Sequence, residues 1–389
     1  MRLKVLIVPD KFKGTLPSQK VAKAIAAGWR QARPGDHLEL LPMCDGGDGF
    51  GEVIASLTAA KRRSVVTVNA HHERCLTPWW LAPETNTAIV EAAQTIGLSM
   101  LAPARPHPFR LDTRGLGIVL AKMAGCGVRR CLVGLGGSAT NDGGFGMARA
   151  LGWEFLDRRR NPLQKWTDLN SLVFLQPPPP AGRFDHLLIA ADVQNPLLGP
   201  KGATRIFGPQ KGLSPSDLPI AERALRRLAR VAKDTLGEDF SNHPGAGAAG
   251  GLGFACLAFL GAKSETGFEI FAQYSGLKKR LQSADLVLTG EGQIDASTLM
   301  GKGVGSLARL CRNEGIPCLG FAGSLHMKGH KELRLFNQVF ALRDVTTLDQ
   351  AKSQPAKWLE LLASAAARWA TVSTHWPAKM LAGAASKPS

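Results

Sequence analysis

Short runs of apolar residues alternate along the chain with turns rich in glycine and aspartate and with longer stretches of helical periodicity. A strand, a polar turn and a helix repeated in this order are typical of an α/β protein with a mainly parallel sheet. Seven apolar runs are predicted as strands: Leu3–Val8, Leu38–Leu41, Arg130–Val133, Leu187–Ala190, Asp285–Leu288, Pro317–Phe321 and Gln338–Leu342.

Helices are predicted between the strands from the spacing of small and apolar residues. The segment Ser18–Gln31 places such residues on one face at intervals of three and four, with Ser18 as the expected N-cap. A second helix is predicted over Gly301–Arg312. The uncharged segment Gly245–Ala262 approaches the length of a membrane span, but it is too rich in glycine for one, so we expect a loop followed by a buried helix.

The middle of the chain differs in pattern from its two ends, and this difference predicts two α/β domains. Residues 1–62 and 284–375 are expected to form a flavodoxin/Rossmann-like doubly wound parallel sheet domain with five strands. Residues 63–283 are expected to form a second α/β domain inserted in the first, and residues 376–389 a tail.

The composition fits a globular protein with more than one domain, since 44% of the 389 residues are hydrophobic. The seven cysteines are dispersed and contain no Cys-x-x-Cys pair, so neither a disulfide framework nor a zinc ribbon is indicated. The first apolar run is too short for a signal peptide. We therefore expect a cytoplasmic protein with no membrane partner.

The 48 lysine and arginine residues exceed the 31 acidic residues, and the net charge is +17. Nucleic-acid-binding proteins often carry such an excess, but here the basic residues are spread out and the chain has one tyrosine. We expect a basic surface that attracts small anions, and no nucleic-acid partner. A non-catalytic nucleic-acid-binding or anion-binding protein stays open as an alternative that rests on charge alone.

Polar, glycine-rich segments follow five of the predicted strands. In open α/β sheets ligands bind at the carboxyl ends of the strands, because the connecting loops converge there. Five polar strand ends are difficult to explain by stability alone, so we expect an active site among them. The segments are Asp10–Gly14, Asp45–Gly49, Gly136–Gly144, Asp192 and Thr289–Asp295.

Two segments match the dinucleotide fingerprint Gly-x-Gly-x-x-Gly/Ala, so a dehydrogenase has to be weighed. The segment Gly245–Gly250 follows no predicted strand. The segment Gly134–Ala139 does follow one, and Arg158–Arg160 lies at about the distance expected for a ligand of a 2′-phosphate. The polar side chains after Gly137 would crowd a pyrophosphate. An NADP-dependent oxidoreductase acting on a small hydroxy acid is kept as the alternative function.

The segment Gly136–Gly144 suits a phosphate group better. Backbone N–H groups at a helix N-terminus favour an anion, and hydroxyl and amide side chains add hydrogen bonds. Phosphoryl transfer from a nucleotide also needs cations over the phosphates, carboxylates for Mg²⁺ and often a base. The chain offers the cations Lys13, Lys201 and Lys211 and the carboxylates Asp45, Asp48, Asp192, Glu291 and Asp295.

Seven motifs occur in one order between residue 3 and about residue 325. They begin at Pro9, Leu41, Gly136, Asp192, Gly208, Pro244 and Thr289, and their centres read Asp-x-Phe-Lys-Gly, Met-x-Asp-Gly-Gly, Gly-Ser-Ala-Thr-Asn-Asp-Gly, Val-x-Asn-Pro-Leu, Pro-Gln-Lys-Gly, Gly-Ala-Gly-Ala-Ala-Gly and Gly-Glu-Gly. In this set the chain resembles the glycerate kinase family of the bacterial glycerate 2-kinase type. The resemblance implies ATP-dependent, Mg²⁺-requiring phosphorylation of D-glycerate by a two-domain α/β enzyme.

The residues take three roles in a kinase of this type. The catalytic candidates are Asp10, Asp45, Lys13, which would neutralise the transferring group or bind the glycerate carboxylate, and Asp192, which would act as a base or orient the hydroxyl. Glu291 and Asp295 would hold Mg²⁺ through water. Nucleotide phosphates would lie against Gly136, Gly137, Ser138, Thr140, Asn141, Asp142 and Gly143.

Three positions depart from what the family usually has. Lys11 replaces a serine, Asp48 replaces a glutamate, and Ser297 stands near a usual glutamine. These departures leave the acceptor preference open. The expected product is 2-phosphoglycerate, and 3-phosphoglycerate stays open because about one ångström of substrate placement decides between the two hydroxyls. The protein is expected to be a monomer or a homodimer.

Overall fold

The computed structural model describes residues 2–101, 105–179, 184–299, 303–326 and 332–372. The chain divides into two compact units. The central unit is Asp45–Ile270, and the terminal unit combines Met1–Cys44 with Phe271–Ser389. The boundaries expected from the sequence, 62/63 and 283/284, lie further along the chain than those of the central unit, and the tail 376–389 lies outside the described residues.

Strands and helices alternate in both units. The strands are β1 (Lys4–Ile7), β2 (His37–Leu40), β3 (Lys61–Val68), β4 (Arg74–Ala82), β5 (Thr87–Glu91), β6 (Arg130–Gly134), β7 (Glu154–Leu156), β8 (Phe174–Gln176), β9 (His186–Ala190), β10 (Lys263–Glu265), β11 (Leu286–Asp295), β12 (Cys318–His326) and β13 (Gln338–Ala341). The helices are α1 (Ser18–Ala32), α2 (Phe50–Leu57), α3 (Ala93–Ile96), α4 (Arg114–Gly125), α5 (Phe145–Ala150), α6 (Ala203–Lys211), α7 (Asp217–Leu236), α8 (Ala248–Leu260), α9 (Gly267–Ser275), α10 (Leu277–Gln282), α11 (Ala296–Leu299), α12 (Gly303–Asn313), α13 (Leu348–Ser353) and α14 (Pro355–Val372).

The terminal unit is built on a five-stranded parallel sheet with the order β13-β12-β11-β1-β2. Its strands are the five that the sequence predicts for the doubly wound domain, so that prediction is confirmed. Counted within the unit from the β2 edge, the order is 2-1-3-4-5, as in flavodoxin-like sheets. The strand order reverses between β1 and β11, and ligands of such sheets bind outside the carboxyl ends at this switch point.

Buried apolar side chains explain why this sheet forms. Val5 and Ile7 of β1 and Leu286 and Leu288 of β11 are all inaccessible to solvent or nearly so. They belong to one core that also includes side chains from helices α1 and α14. Each side chain of this size contributes about 1.5–3 kcal/mol when it is fully buried. The two strands at the switch point are therefore held by the centre of the core.

Helix α1 confirms the predicted periodicity but not the predicted cap. Val21, Ile25 and Trp29 lie on one buried face of the helix. The N-cap position is occupied by Pro17, with φ −61° and ψ 150°, and Ser18 is the first helical residue. The predicted Ser18 cap is wrong because Pro17 already takes the extended conformation of an N-cap residue.

The central unit contains a six-stranded sheet with the order β10-β9-β6-β5-β4-β3. Strands β10, β9, β6 and β5 are parallel, and β4 and β3 continue the sheet in antiparallel fashion. The predicted strands Arg130–Val133 and Leu187–Ala190 are β6 and β9, so both are confirmed. The sequence pattern does not predict β4, which contains Pro78, because proline is a poor residue for the middle of a strand.

Helix α2 belongs to the central unit because it packs on strands β4 and β5. Gly51, in its first turn, lies against the ring of Trp80 in β4, and a Cβ at this position would be 2.1 Å from the ring. The Gly51 N–H also donates a hydrogen bond to Glu91 at the end of β5, at 3.2 Å. The sequence pattern does not indicate which sheet α2 covers, and this is why the observed boundary differs from the expected one.

The uncharged segment near residue 250 forms a loop and a buried helix, as predicted. Helix α8 opens with a left-handed turn in which Ala249, Gly250 and Gly251 have φ angles of 53°, 69° and 88°. The turn meets the glycine-rich segment, since a Cβ on Gly250 would lie 2.1 Å from the Thr140 carbonyl oxygen, and Gly143 N–H donates to the Gly250 carbonyl at 3.0 Å. Among the described residues, no helix is both long and apolar enough to cross a membrane.

Candidate active site

In the central unit, polar groups gather at the carboxyl edge of the parallel strands, where the sequence analysis places the site. The segment Asp45–Gly49 lies across the ends of β6 and β9. The Gly136 N–H, just after β6, donates to the Gly46 carbonyl at 3.1 Å. A Cβ on Gly46 would lie 3.0 Å from the Cβ of Ala190, the last residue of β9. The loops after β2, β6 and β9 that carry the predicted motifs therefore meet at this edge.

Gly267, which follows β10, contacts two predicted catalytic residues, at the carboxylate of Asp192 and at the backbone of Asp45. The Oδ1 atom of Asp192 accepts a hydrogen bond from the Gly267 N–H at 2.8 Å. A Cβ on Gly267 would lie 2.3 Å from the carbonyl carbon of Asp45, so this residue also packs closely on the Asp45 backbone. The Asp45 Oδ1 atom accepts from the Gly47 N–H at 3.1 Å. Asp45 and Asp192 thus flank a single glycine.

The buried Glu91 side chain holds the end of the Asp45–Gly49 segment in place through hydrogen bonds. The sequence analysis does not predict Glu91 as a site residue. Its carboxylate, 1% exposed, accepts hydrogen bonds from the N–H groups of Gly49, at 3.1 Å, and Gly51, at 3.2 Å. Burial raises the pKa of Glu91 to about 6; these two hydrogen bonds oppose the rise, and the charge of Asp48 adds to it. A glutamate that interrupts the apolar run from Ala88 to Ala93 is the signal that could have identified it.

The titration of Glu91 leads to a pH-dependent stability. Its pKa in the folded protein, about 6, lies above the ordinary value of 4.5, so its contribution is fully present below pH 4.5 and is lost as the pH rises through 6. Relative to the wild type, a Glu91→Gln variant should therefore gain about 2 kcal/mol of stability between pH 4.5 and 7. Thermal unfolding of both proteins across this range measures the difference. The exposed Glu154→Gln substitution is the control, and a constant difference between wild type and Glu91→Gln would contradict the assignment.

The glycine-rich segment presents its first residues to solvent and buries the rest. Gly136 is half-buried and Gly137 is exposed, whereas Ser138 is 6% exposed. All residues from Ala139 to Gly146 are buried. Of the residues predicted to contact phosphate, Gly136, Gly137 and Ser138 therefore lie at the accessible end of the segment.

Asp142 takes the position at the N-terminus of α5 that the sequence analysis gives to a phosphate. Its Oδ2 atom accepts from the N–H and hydroxyl of Thr113, at 2.9 and 2.8 Å, and from the Gly146 N–H at 3.0 Å. Its Oδ1 atom accepts from the Gly144 N–H at 3.2 Å. Burial and the nearby Asp112 raise the pKa of Asp142 to about 6, although these hydrogen bonds lower it. The carboxylate ties the segment to α4 and α5.

Lys211, at the end of α6, is a buried cation beneath the same segment. Its Nζ atom donates to the Ser138 Oγ at 2.9 Å and to the Thr140 carbonyl oxygen at 2.6 Å. Burial lowers the pKa of Lys211 to about 7, and the Asp142 carboxylate opposes this shift. Nearby, the amide nitrogen of Asn141 donates to the hydroxyl of Thr204 at 3.0 Å.

In the terminal unit, polar groups lie at the switch point of the sheet. The Asp10 N–H, beyond the end of β1, donates to the Gly290 carbonyl of β11 at 2.8 Å. The Asp10 Oδ1 atom accepts from the Lys11 N–H at 2.7 Å, and Asp10 is 9% exposed. Lys13 is exposed, and its backbone nitrogen would be 3.2 Å from a Cβ on Gly292. The structure thus brings Asp10 and Lys13 to the strand that carries Glu291.

Glu291 and Asp295, the predicted metal ligands, are linked through Thr298. The Thr298 hydroxyl donates to the Glu291 Oε1 atom at 2.7 Å and accepts from the Asp295 N–H at 3.1 Å. The Asp295 Oδ2 atom accepts from the Gln293 side-chain amide at 2.9 Å. The described residues contain no cluster of three or more metal-binding side chains. Two carboxylates still fit Mg²⁺, which keeps several waters and binds through one or two carboxylates together with substrate phosphates.

The predicted site residues therefore fall into two groups. Asp45, Asp192 and the glycine-rich segment Gly136–Gly143 belong to the central unit. Asp10, Lys13, Glu291 and Asp295 belong to the terminal unit. Both groups occupy the carboxyl ends of parallel strands, which is where enzymes with open α/β sheets bind their ligands.

Comparison with known proteins identifies the class of enzyme. Residues 5–371 match the model of the Glycerate kinase family. The chain belongs to the glycerate kinase family, whose members are kinases with an alcohol group as the acceptor. The family implies ATP as the phosphate donor. The glycerate kinase prediction and the α/β fold class are confirmed, and the oxidoreductase alternative is not supported.

Curated relatives are similar over nearly their whole length. The chain is 34% identical to the glycerate kinase of Halalkalibacterium halodurans over 378 residues, and this alignment covers 96% of this chain and 98% of the relative. It is 34% identical over 360 residues to the glycerate 2-kinase of Escherichia coli, 90% of this chain and 93% of the relative. A crystal structure assigned to a glycerate kinase 2 from Salmonella typhimurium LT2 superposes with a TM-score of 0.79 at 32% identity, covering 99% of this chain and 100% of that one.

Proposed function

We propose that the protein transfers the γ-phosphoryl group of ATP to the 2-hydroxyl of D-glycerate and forms 2-phosphoglycerate. The observation that carries this proposal is Gly267, which bonds the Asp192 carboxylate and packs on the Asp45 backbone, in a loop that meets the accessible glycine-rich turn. A carboxylate beside a phosphate-binding turn is the arrangement that a small-molecule kinase needs. The relative from Escherichia coli is a glycerate 2-kinase, which favours the 2-hydroxyl over the 3-hydroxyl.

In the proposed reaction Asp192 orients the acceptor hydroxyl and takes its proton. The hydroxyl oxygen forms a bond to the γ-phosphorus, and the bond from that phosphorus to the bridging oxygen breaks, so that ADP leaves. The Gly267 N–H fixes the orientation of Asp192. Because phosphoryl transfer passes through a loose transition state, positioning contributes more than proton removal.

The accessible end of the glycine-rich segment is proposed to contact the nucleotide phosphates. Gly137 and Ser138 would donate to phosphate oxygens, because they lie at or next to the solvent-accessible end, whereas the Gly136 N–H already donates to the Gly46 carbonyl oxygen. Four further residues of the segment are predicted to contact phosphate, but they are buried: Thr140, Asn141, Asp142 and Gly143. We therefore propose that they determine the shape of the turn.

The terminal unit is proposed to supply charge for the transfer. Glu291 and Asp295 would hold Mg²⁺ partly through water, and the ion would neutralise phosphate charge when bound. Lys13, an exposed cation, would add positive charge near the transferring group or bind the glycerate carboxylate. Asp10 would order the turn that carries Lys13, since it bonds the Lys11 N–H.

The release of ADP in the presence of D-glycerate, Mg²⁺ and ATP tests the proposed function. We expect turnover with D-glycerate and at least tenfold less with L-glycerate, since the carboxylates and the turn fix one orientation of the hydroxyl. ADP release that does not depend on glycerate would contradict the proposal. A monomer or homodimer in the cytoplasm, as expected from the sequence, stays a prediction.

Replacing Asp192 by asparagine tests the role of the carboxylate. The substitution keeps an oxygen that can accept from the Gly267 N–H but removes the base. We expect kcat to fall by about 10-fold to 100-fold, with a smaller change in KM. The exposed Asp185→Asn substitution in the same unit is the matched control. A kcat within about twofold of the wild type would remove Asp192 from the reaction.

A further inference from the structure

Lys211 is a buried cation that bonds Ser138, next to the accessible end of the glycine-rich segment. It is 6% exposed, and its ammonium group bridges the Ser138 hydroxyl oxygen and the Thr140 carbonyl oxygen. A buried ammonium is costly unless its hydrogen bonds are satisfied. The two bonds to the segment therefore tie the charge of Lys211 to the position of Ser138.

The hydrogen bond from Lys211 determines what the Ser138 hydroxyl can do. A hydroxyl group has one proton to donate and two lone pairs. The Lys211 ammonium already donates to the oxygen at 2.9 Å, so the hydroxyl proton has to point to a different acceptor. Among the residues that the structure describes, no acceptor of this proton is found. Gly136 and Gly137, which precede Ser138, are the accessible residues beside it.

Other polar atoms around Lys211 are also incompletely paired. The Thr140 Oγ1 and Asn141 Oδ1 atoms are buried and have no hydrogen-bond partner. Buried polar groups in native proteins are almost always paired with protein or with water. A buried cluster that contains a charge and keeps unused hydrogen-bonding capacity fits a binding function better than a purely structural one.

We propose that Lys211 is a positioning residue that directs the Ser138 hydroxyl toward an anionic oxygen bound at the exposed Gly137, and that the anion binds together with a proton on Lys211. The inference rests on the proposed role of this turn as an anion site. The anionic oxygen can belong to a nucleotide phosphate or to the glycerate carboxylate. Either oxygen carries negative charge, so it binds at the turn when Lys211 is protonated and not when Lys211 is the neutral amine.

Charged groups around Lys211 and the turn bear on a pH-dependent measurement. Asp142 is the charged group that acts on Lys211 and opposes the lowering of its pKa by burial, and the Asp48 carboxylate lies beside the turn, with its Oδ1 atom 2.8 Å from the position of a Cβ on Gly137. Helix α8, which packs against α6, carries no charged side chain, and burial raises the pKa of its Cys256 to about 12. On α7, Asp217 bonds to Ser214 and His107, and Glu222 accepts from the Gly199 N–H.

Calorimetric titration with ADP and, separately, with D-glycerate at pH 7.0 and 8.5 tests the inference on the wild-type protein. Because binding requires protonated Lys211, the affinity for the ligand held at the turn should fall by roughly tenfold between the two pH values. The heat in two buffers of different ionisation enthalpy should show proton uptake for the same ligand. The titration, with ADP or with D-glycerate, that shows proton uptake and pH dependence identifies the ligand held at the turn. If neither titration shows proton uptake or pH dependence, the inference is overturned.

A pair of substitutions separates positioning from a structural role. Lys211→Met should raise the Kd of that ligand at least tenfold at pH 7 and abolish its pH dependence, with KM rising more than kcat falls. Lys122 is an exposed lysine near the end of α4, and Lys122→Met removes the same charge. This control should change neither the Kd of the ligand nor its pH dependence. If Lys211 acts through Ser138, the Ser138→Ala substitution should raise the Kd by a smaller factor in the Lys211→Met variant than in the wild type. Additive effects would overturn the inference.

The same experiments distinguish this inference from the proposed function. Binding and proton uptake are measured without turnover. A wild-type protein that shows proton-linked binding but no D-glycerate-dependent ADP release would contradict the proposed function and support the role of Lys211. Turnover with D-glycerate, together with binding that is independent of pH and of Lys211, would support the proposed function and contradict the role of Lys211. Should Lys211→Met fail to fold, the wild-type titrations still decide the matter.

Discussion

An Asp142→Ala variant should lose on the order of 4 kcal/mol of stability. The carboxylate accepts four hydrogen bonds from buried donors, two from Thr113 and one each from the N–H groups of Gly144 and Gly146. Each buried donor left without a partner costs about 1–3 kcal/mol, and local relaxation recovers part of the sum. Urea unfolding of the full chain, followed by circular dichroism, measures the loss.

Two controls make the Asp142 experiment specific. Asp142→Asn keeps one acceptor oxygen and should therefore lose less stability than the alanine variant, although its amide nitrogen cannot accept from the Gly144 N–H. Asp185→Ala removes an exposed carboxylate of the same unit and should change stability by less than about 0.5 kcal/mol. If Asp142→Ala behaved like Asp185→Ala, the buried carboxylate would not organise the segment.

A Gly267→Ala variant should lose at least about 100-fold in kcat while remaining folded. The added Cβ would lie 2.3 Å from the carbonyl carbon of Asp45 and from the nitrogen of Gly46, so the backbone there has to move. The same residue donates its N–H to Asp192. Displacement of both carboxylates by about an ångström is enough for such a loss. Steady-state kinetics and the thermal midpoint, measured together, separate the loss of activity from unfolding.

Gly125→Ala is the matched control for this substitution. Gly125 is the last residue of α4, and a Cβ there meets no atom within 4 Å. Alanine has the higher helix propensity, so the control should be as stable as the wild type or slightly more stable, with unchanged kcat. Wild-type kcat in Gly267→Ala would mean that Asp45 and Asp192 do not need their observed placement.

The five strands of the terminal unit could be predicted from the sequence. Its strands are continuous apolar runs, since a parallel sheet is buried on both faces, and each run ends in a polar turn. The runs that contain Val5 and Leu286 are therefore both predicted as strands of this sheet, and the structure pairs them as neighbours although the whole central unit separates them in the chain. The hydrogen bond between Asp10 and Gly290 follows from the meeting of two strand ends.

The direction of individual side chains in the central unit could not be predicted. The motif that begins at Gly136 lists polar residues in a row, but it does not indicate which of them face the interior. The structure turns Asp142 toward α4 and α5 and leaves Gly137 exposed. Glu91 and Gly267 escaped prediction for a related reason: a single glutamate and a single glycine gain their roles from loops that are distant in sequence.

The central claim is the phosphorylation of D-glycerate at its 2-hydroxyl, and a phosphorus NMR time course with Mg-ATP and D-glycerate tests it most directly. The account predicts a new phosphomonoester signal that grows together with ADP and is coupled to one proton, as position 2 requires. A sample with EDTA in place of Mg²⁺ should show no such signal. A product coupled to two protons would place the phosphate at position 3, and an unchanged ATP spectrum at high protein concentration would contradict the kinase assignment itself.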